Sequence, residues 1–389
     1  MARAVSSLRI RGAPLLLCAL MVGCVEPEGA SLPEQQQSLP LEPSIPHLEF
    51  VGSTGPTLDL GELTYFDVQA DGRILALDQT TSLLHLLEPD GSHLTIGGRG
   101  RGPEDLQGPN GVASLDDGSF VVLDAGNGRI TGWDRDGRPL GHVIAHPLAS
   151  QRLDAQGARV FLTSRAEGVS EVGPGYDLVL LHWEELEGPP RDSLSLLSSD
   201  LLWDEEVAPD TVSCGPCPFV ALDENRVALA RPGSYLFQVV RVLDGKVLAQ
   251  FGRPDLPRVR HSPRSWAAEQ ERTIASVEMM ERRILGRVRS GLRDRVRDRS
   301  VPEPLPYMSY LARPFPLGVD ERGMVWVLRN TPEDALAELD VFGPDFDFLG
   351  TVKLMGHDLT SIRVRGNFLA ARSEDTMGVA EVRLYRIVP

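Results

Sequence analysis

Residues 109–144 read PNGVASLDDGSFVVLDAGNGRITGWDRDGRPLGHVI, and the fold is decided there. Pro109–Ser114 supplies a strand, Asp117-Gly118 a turn and Ser119–Asp124 a second strand. Ala125-Gly-Asn-Gly128 is a loop, Arg129–Asp134 a third strand, Asp136-Gly137 a turn and Pro139–Ile144 a fourth strand. Short alternating runs separated by Asp-Gly pairs are strong hairpin signals, because glycine reaches the left-handed conformation such turns need. The preceding stretch repeats the unit at a constant offset of 46: Asp71-Gly72, Asp78 and Asp90-Gly91 match Asp117-Gly118, Asp124 and Asp136-Gly137.

The turn-plus-strand phrase at the centre of this unit occurs six times, as Gly72–Asp78, Gly118–Asp124, Gly157–Thr163, Asn225–Arg231, Gly323–Arg329 and Gly366–Arg372. A unit of about 40 residues predicting four strands cannot bury its apolar faces alone, and stacking such units around an axis makes a propeller. The expectation is an all-β chain folded as a six-bladed β-propeller over residues 47–389. After Arg372 one further strand, Val379–Ile387, remains, which leaves the last blade one strand short. Donation of His47–Gly52 to that blade joins the termini and leaves no open edge.

Gly97-Gly-Arg-Gly-Arg-Gly-Pro103 before an inner strand, followed by Asp124-Ala-Gly-Asn127-Gly-Arg129-Ile130, resembles the NHL repeat of six-bladed propellers (NHL/TolB-like). The resemblance is specific in the first two units and thins to a strand pattern afterwards. It implies the fold of residues 47–389 and little about function, since such propellers include binding scaffolds, sensors and a few lyases or lactonases.

Residues 1–23 read as a signal peptide, with Arg3, Arg9 and Arg11 ahead of the short apolar run Ala13–Val22. Leu20-Met-Val-Gly-Cys24 resembles a bacterial lipoprotein box, which implies lipid on Cys24 and attachment to a bilayer through the acylated N-terminus. Val25 after that cysteine points to the outer membrane, facing the periplasm or the cell surface. Residues 24–46 are rich in Pro, Gln, Ser and Glu and read as a disordered tether. A net charge of −16 excludes wholesale nucleic-acid binding. Cys214-Gly-Pro-Cys217 matches the thioredoxin motif in letters but precedes a strand instead of opening a helix. In an oxidising compartment a structural disulfide is expected, with a labile redox or metal pair as the alternative.

In a propeller, the loop after each second strand and the links between blades share one face. The six phrases place Asp78, Asp124, Thr163, Arg231, Arg329 and Arg372 there, which predicts a mouth acidic on one side and cationic on the other. These residues either clasp neighbouring blades, as Asp78 with Arg372, or bind a small anionic ligand through the arginines. Arg99 and Arg101, in the glycine-rich link, project over the same rim, where glycine backbone can cradle an anion.

The unit between the fourth and fifth phrases is interrupted by an insertion over about 255–312. Ser262-Pro263 reads as a helix start, and Ile274, Val277, Ile284, Val288, Leu292 and Val296 recur at near-helical spacing. Between Arg264 and Arg299 there are ten arginines against six acids, in an otherwise acidic chain. This stretch is a lid packed on the rim, a helix for a protein partner, or a helix for an anionic membrane surface. The eight histidines show no metal-ligand spacing, and no nucleophile elbow or phosphate loop occurs. No catalytic set, metal or cofactor is expected. The functional expectation is a lipid-anchored propeller that binds an unknown protein or small anionic ligand on one face; a periplasmic hydrolase or lyase working at the mouth is the alternative.

Overall fold

The computed structural model describes residues 45–54, 60, 63–144, 152–170, 173–182, 192–196, 218–230, 234–285, 291, 307–312, 315–331, 336–354, 359–374 and 379–389. Strand β1 (His47–Ser53) comes first. Sheet one is β2 (Leu63–Val68), β3 (Ile74–Asp78), β4 (Leu83–Leu87) and β5 (His93–Gly97). Sheet two is β6 (Val112–Ser114), β7 (Phe120–Asp124), β8 (Arg129–Trp133) and β9 (Pro139–Ile144). Sheet three is β10 (Arg152–Gln156), β11 (Arg159–Ser170), β12 (Gly173–His182) and β13 (Asp192–Leu196), whose central hairpin is the longest described. Sheet four is β14 (Phe219–Ala221), β15 (Arg226–Ala230), β16 (Leu236–Arg241) and β17 (Val247–Gly252). Helix α1 (Pro263–Leu285) follows, inside the expected insertion, and is the one α-helix among the described residues. Sheet five is β18 (Leu317–Val319), β19 (Val325–Leu328), β20 (Ala337–Phe342) and β21 (Phe348–Leu354). Sheet six is β22 (Leu359–Arg365), β23 (Phe368–Glu374) and β24 (Ala380–Val388), completed by β1.

Every sheet is four-stranded and antiparallel, and its strands run outward in chain order, except that β1 is the outermost strand of sheet six. The innermost strands touch in a closed cycle, β2 to β6 to β10 to β14 to β18 to β22 and back to β2. The chain is an all-β β-propeller. β1 lies antiparallel on β24, from His47 opposite Val388 to Ser53 opposite Arg383, so the N-terminal strand covers the edge of the last sheet.

The core sits in the seams between neighbouring sheets. Leu75, Leu77 and Leu84 of sheet one pack on Val112, Phe120, Val122 and Trp133 of sheet two. Trp326, Leu328 and Leu339 of sheet five meet Ile362, Leu369 and Ala371 of sheet six, and Phe66 and Ala76 meet Ala370 and Leu384 to close the ring. Burying one such side chain stabilises by about 1.5–3 kcal/mol, so each seam outweighs any single ion pair across it. The Asp-Gly turns behave as read: Gly72, Gly91, Gly118 and Gly137 have φ of 80–88°. Asp71, Asp90 and Asp117 each accept a backbone N–H two residues on, as Asp117 Oδ1 does from Ser119 at 2.8 Å, and at the fourth turn Asp134 takes this part, accepting from Asp136 N at 2.9 Å.

This topology defines two faces. The turns between first and second strands form one, where Gln69 Nε2 donates to the Gly118 carbonyl (2.6 Å) and Arg159 Nη1 to that of Glu224 (3.1 Å). The chain enters here, because His47 pairs with Val388 while Ile387 N donates to the carbonyl of Asn367 in the β22–β23 turn. The opposite face carries the loops after the second strands and the links between sheets, including the link that holds α1.

Candidate functional site

Of the residues expected at the mouth, Asp78, Asp124, Arg329 and Arg372 are engaged within the protein. Asp124 is fully buried. Its carboxylate accepts from Gln107 N (2.7 Å), Asn127 Nδ2 (2.7 Å) and Arg129 Nε (2.9 Å). Arg129 Nη2 in turn donates to the carbonyls of Gly102 (2.6 Å) and Asp105 (2.7 Å). The Asp124-x-x-Asn127-x-Arg129 pattern thus pins the glycine-rich link to its own sheet. The link folds around an anion of its own: Asp105 Oδ2 accepts from Gly102 N at 2.9 Å. A Cβ at Gly100 would overlap the Asp105 carboxylate, and a Cβ at Gly126 would overlap the carbonyl oxygen of Gln107. Arg99 and Arg101 stay exposed on the outside of this loop, Arg101 reaching Gln107 Oε1 at 3.3 Å.

Asp78 accepts from Thr80 N (2.8 Å) and Thr81 Oγ1 (2.7 Å). Arg372 donates to the Leu63 carbonyl, to Thr360 Oγ1 (2.7 Å) and to Glu374. The expected Asp78–Arg372 pair is not formed, because threonines two and three positions on capture Asp78 and Glu374 lies beside Arg372 on its own strand. Arg372 still joins sheet six to sheet one through Leu63. Arg329 pairs with Glu338 and approaches Asp340 Oδ1 at 3.5 Å. Among the described residues Arg329 and Arg372 do not contact one another. Arg231, Cys24, Cys214 and Cys217 lie outside the described residues.

Asp340 is the centre of a buried polar knot between sheets four and five. Thr351 Oγ1 (2.6 Å) and Tyr235 Oη (2.9 Å) donate to it, and Arg253 Nη1 stands 3.7 Å away. Burial, and then the Asp340 carboxylate, push Tyr235 well above the ordinary tyrosine range. Arg253 also stacks on Phe348, 4.6 Å from the ring centroid. The insertion springs from this knot. Met308 N donates to the Val259 carbonyl (2.8 Å), Tyr310 Oη to that of Leu256 (3.0 Å), and Arg260 bridges Tyr307, which makes a two-stranded neck. Ser262 and Ser265 cap α1 reciprocally, Ser265 N to Ser262 Oγ at 3.0 Å and Ser262 N to Ser265 Oγ at 2.8 Å.

The ring axis carries a cluster that the sequence reading did not find. Arg363 Nε donates to the Phe66 carbonyl and its Nη2 to that of Leu153, each at 3.2 Å. Its Nη1 stands 3.8 Å from Asp154 Oδ1, and its guanidinium lies 4.0 Å from the Phe315 ring centroid. Arg365 Nη2 donates to the Ala155 carbonyl (2.7 Å) and its Nη1 to Asp116 (2.9 Å). Asp154 also accepts from Ala221 N at 2.8 Å, and Asp67 accepts from Ser114 N at 2.7 Å, so two carboxylates stitch neighbouring innermost strands. Burial pushes Asp154 above the ordinary carboxylate range, with Arg363 opposing. Two guanidiniums therefore span the axis. No group of three or more His, Cys, Asp or Glu side chains suited to a metal ion occurs among the described residues.

The NHL repeat family profile matches residues 106–133, the unit pinned by Asp124 and Arg129. This is an NHL-repeat-like β-propeller. No curated protein sequence matches the chain. Among solved structures, the propeller is similar to a gluconolactonase from Xanthomonas campestris at 12% identity and a TM-score of 0.45, over 88% of this chain and 94% of that one. Virginiamycin B lyase from Staphylococcus aureus gives 9% identity and a TM-score of 0.45, over 88% of this chain and 100% of that one. A DUF4221 family member from Bacteroides vulgatus gives 10% identity and a TM-score of 0.49, over 88% and 94%. At these values the likenesses carry no ligand or reaction to the NHL-repeat-like chain.

Proposed function

We propose that the chain is a six-bladed, lipid-anchored propeller of the cell envelope that binds a protein partner or a small anionic ligand on one face, the face bearing the insertion. The observation that carries this reading is the exposed arginine–tyrosine neck at the base of the insertion. Arg258 and Arg260 lie 5.2 and 4.2 Å from the Tyr307 ring centroid, and Tyr307 is 40% exposed. Arginine and tyrosine are enriched among residues that dominate binding energy. The axis supports the same reading, because Arg363 and Arg365 fill the centre and leave recognition to the loop face. Arg329 and Arg372 serve as clasps in this account, and Arg99 and Arg101 add positive charge to the rim.

Anchoring is carried by Cys24 and places the protein in the outer membrane. Among the described residues no helix is long and apolar enough to cross a membrane. Cys24→Ser is expected to release the protein from carbonate-washed membranes, and retention there contradicts the anchor. Cys214 and Cys217 are proposed to form a disulfide, so thiol counting on unfolded, unreduced protein is expected to find neither free. The binding reading is tested by extracting the full chain from native membranes and analysing co-purifying material by mass spectrometry. A stoichiometric protein or anionic small molecule is expected; substrate turnover without a bound partner points to a catalyst instead.

A further inference from the structure

We infer that His85 and His93, paired across the β4–β5 hairpin of sheet one, form a two-imidazole site for a divalent transition-metal ion of the zinc and copper class, independent of the binding reading above. No local sequence motif joins these two histidines; the hairpin does. His85 stands opposite Thr95 and Leu87 opposite His93, so the histidines are diagonal neighbours across the two strands. Side chains alternate between the faces of a strand, which puts His85, Leu87, His93 and Thr95 on one face. The two ring centroids are 6.4 Å apart and the rings are tilted by 51°. His93 and Thr95 are exposed and His85 is half-buried, so an ion reaches the pair from solvent.

His85 is oriented as a metal ligand is. Its Nδ1 lies 3.1 Å from Thr95 Oγ1, which holds the ring and assigns Nε2 to the ion. Burial pushes this imidazole below the ordinary histidine range, with the Asp78 carboxylate opposing and His93 reinforcing, and the neutral ring is the form that ligates. Bonds of about 2.0–2.1 Å from one ion to each imidazole draw the rings slightly closer than they stand, and a turn of exposed His93 about its side-chain bonds supplies this. Two protein ligands leave the rest of the coordination sphere to water, so the site is open. Imidazole selects copper, zinc and nickel over magnesium and calcium, which prefer oxygen ligands. Leu87, on the same face of β4, packs with Phe368 and Leu384 of sheet six. The pair therefore stands where sheet one meets the sheet that closes the ring, and a bound ion ties the outermost strand β5 to β4.

The test uses the detergent-purified full chain without a histidine tag. Zinc in competition with a chelating dye is the probe, magnesium the control ion, and copper the probe for electron paramagnetic resonance. Zinc is expected to bind and to raise the melting temperature, and magnesium to do neither. H93Q changes an exposed side chain, so its metal-free melting temperature should match the wild type, while its zinc affinity falls at least about tenfold. H85Q/H93Q should lose the zinc-dependent rise in melting temperature, and H47Q should keep it. Copper spectra of the wild type are expected to show two equatorial imidazole nitrogens. Absence of zinc binding, or equal binding by H93Q, overturns the inference. Binding lost in H47Q and kept in H85Q/H93Q places the metal elsewhere and overturns it, as does a copper spectrum with fewer than two nitrogens.

Discussion

Arg363 Nη2 donates to the carbonyl of Leu153 at 3.2 Å, joining the innermost strand of sheet six to that of sheet three, three places round the cycle. The side chain is 8% exposed and faces Asp154, which is 12% exposed. Removing one partner of a buried pair leaves the other charge uncompensated at a cost of about 3–5 kcal/mol. Arg363→Met is therefore expected to lower unfolding free energy by about that amount in urea titrations, with Asp116→Asn on the exposed side of the Arg365 pair costing under about 1 kcal/mol.

Asp154 gives the axis a pH signature. Its folded-state pKa is raised, mainly by burial, so between its unfolded value and its raised value the native state binds more protons than the unfolded chain. Stability from this group is present at acidic pH and is lost as pH rises through the folded pKa. Asp154→Asn does not titrate, so the wild-type protein should lose stability relative to the variant as pH rises from about 4. A difference that grows in the other direction contradicts the assignment.

Asp124 and Arg129 should behave as one unit. Either Asp124→Asn or Arg129→Met alone is expected to destabilise by about 3 kcal/mol, and the double variant by clearly less than the sum. Gly126→Ala tests the same loop from the backbone side. Its new methyl group meets the Gln107 carbonyl, with an expected loss of about 1–3 kcal/mol by chemical denaturation.

Arg329→Gln distinguishes clasp from ligand site. Arg329 is 15% exposed and sits between Glu338 and the fully buried Asp340, so a drop in melting temperature is expected. Lower ligand affinity at unchanged melting temperature contradicts the clasp.

The fold was legible because each hairpin announces itself locally: Asp-Gly pairs demand a left-handed glycine, and the constant spacing from Asp71-Gly72 to Asp117-Gly118 repeats a whole sheet. The pairing of His47 with Val388 was legible too, since a strand count one short at the C-terminus requires a donor. The axial cluster was not. Ser361-Ile-Arg-Val-Arg365 alternates polar and apolar residues as a half-solvated strand does. Only the ring topology turns Arg363 and Arg365 toward carbonyls more than 200 residues away in sequence. The partners of the mouth arginines were not legible for a related reason. Register put Arg329 and Arg372 at the ends of their second strands; Arg329 directly follows β19 and Arg372 lies two residues before the end of β23, but Glu338 and Glu374, which hold them, lie at positions that no repeat phrase includes.

The claim on which the account depends is that recognition occurs on the insertion face. A photo-cross-linking amino acid placed at Tyr307 of the full-length protein in native cells tests it, with Asn367 on the hairpin-turn face as the comparison site. A discrete protein adduct from position 307 and none from position 367 is the predicted result. Adducts from 367 alone, or from neither position, contradict the account.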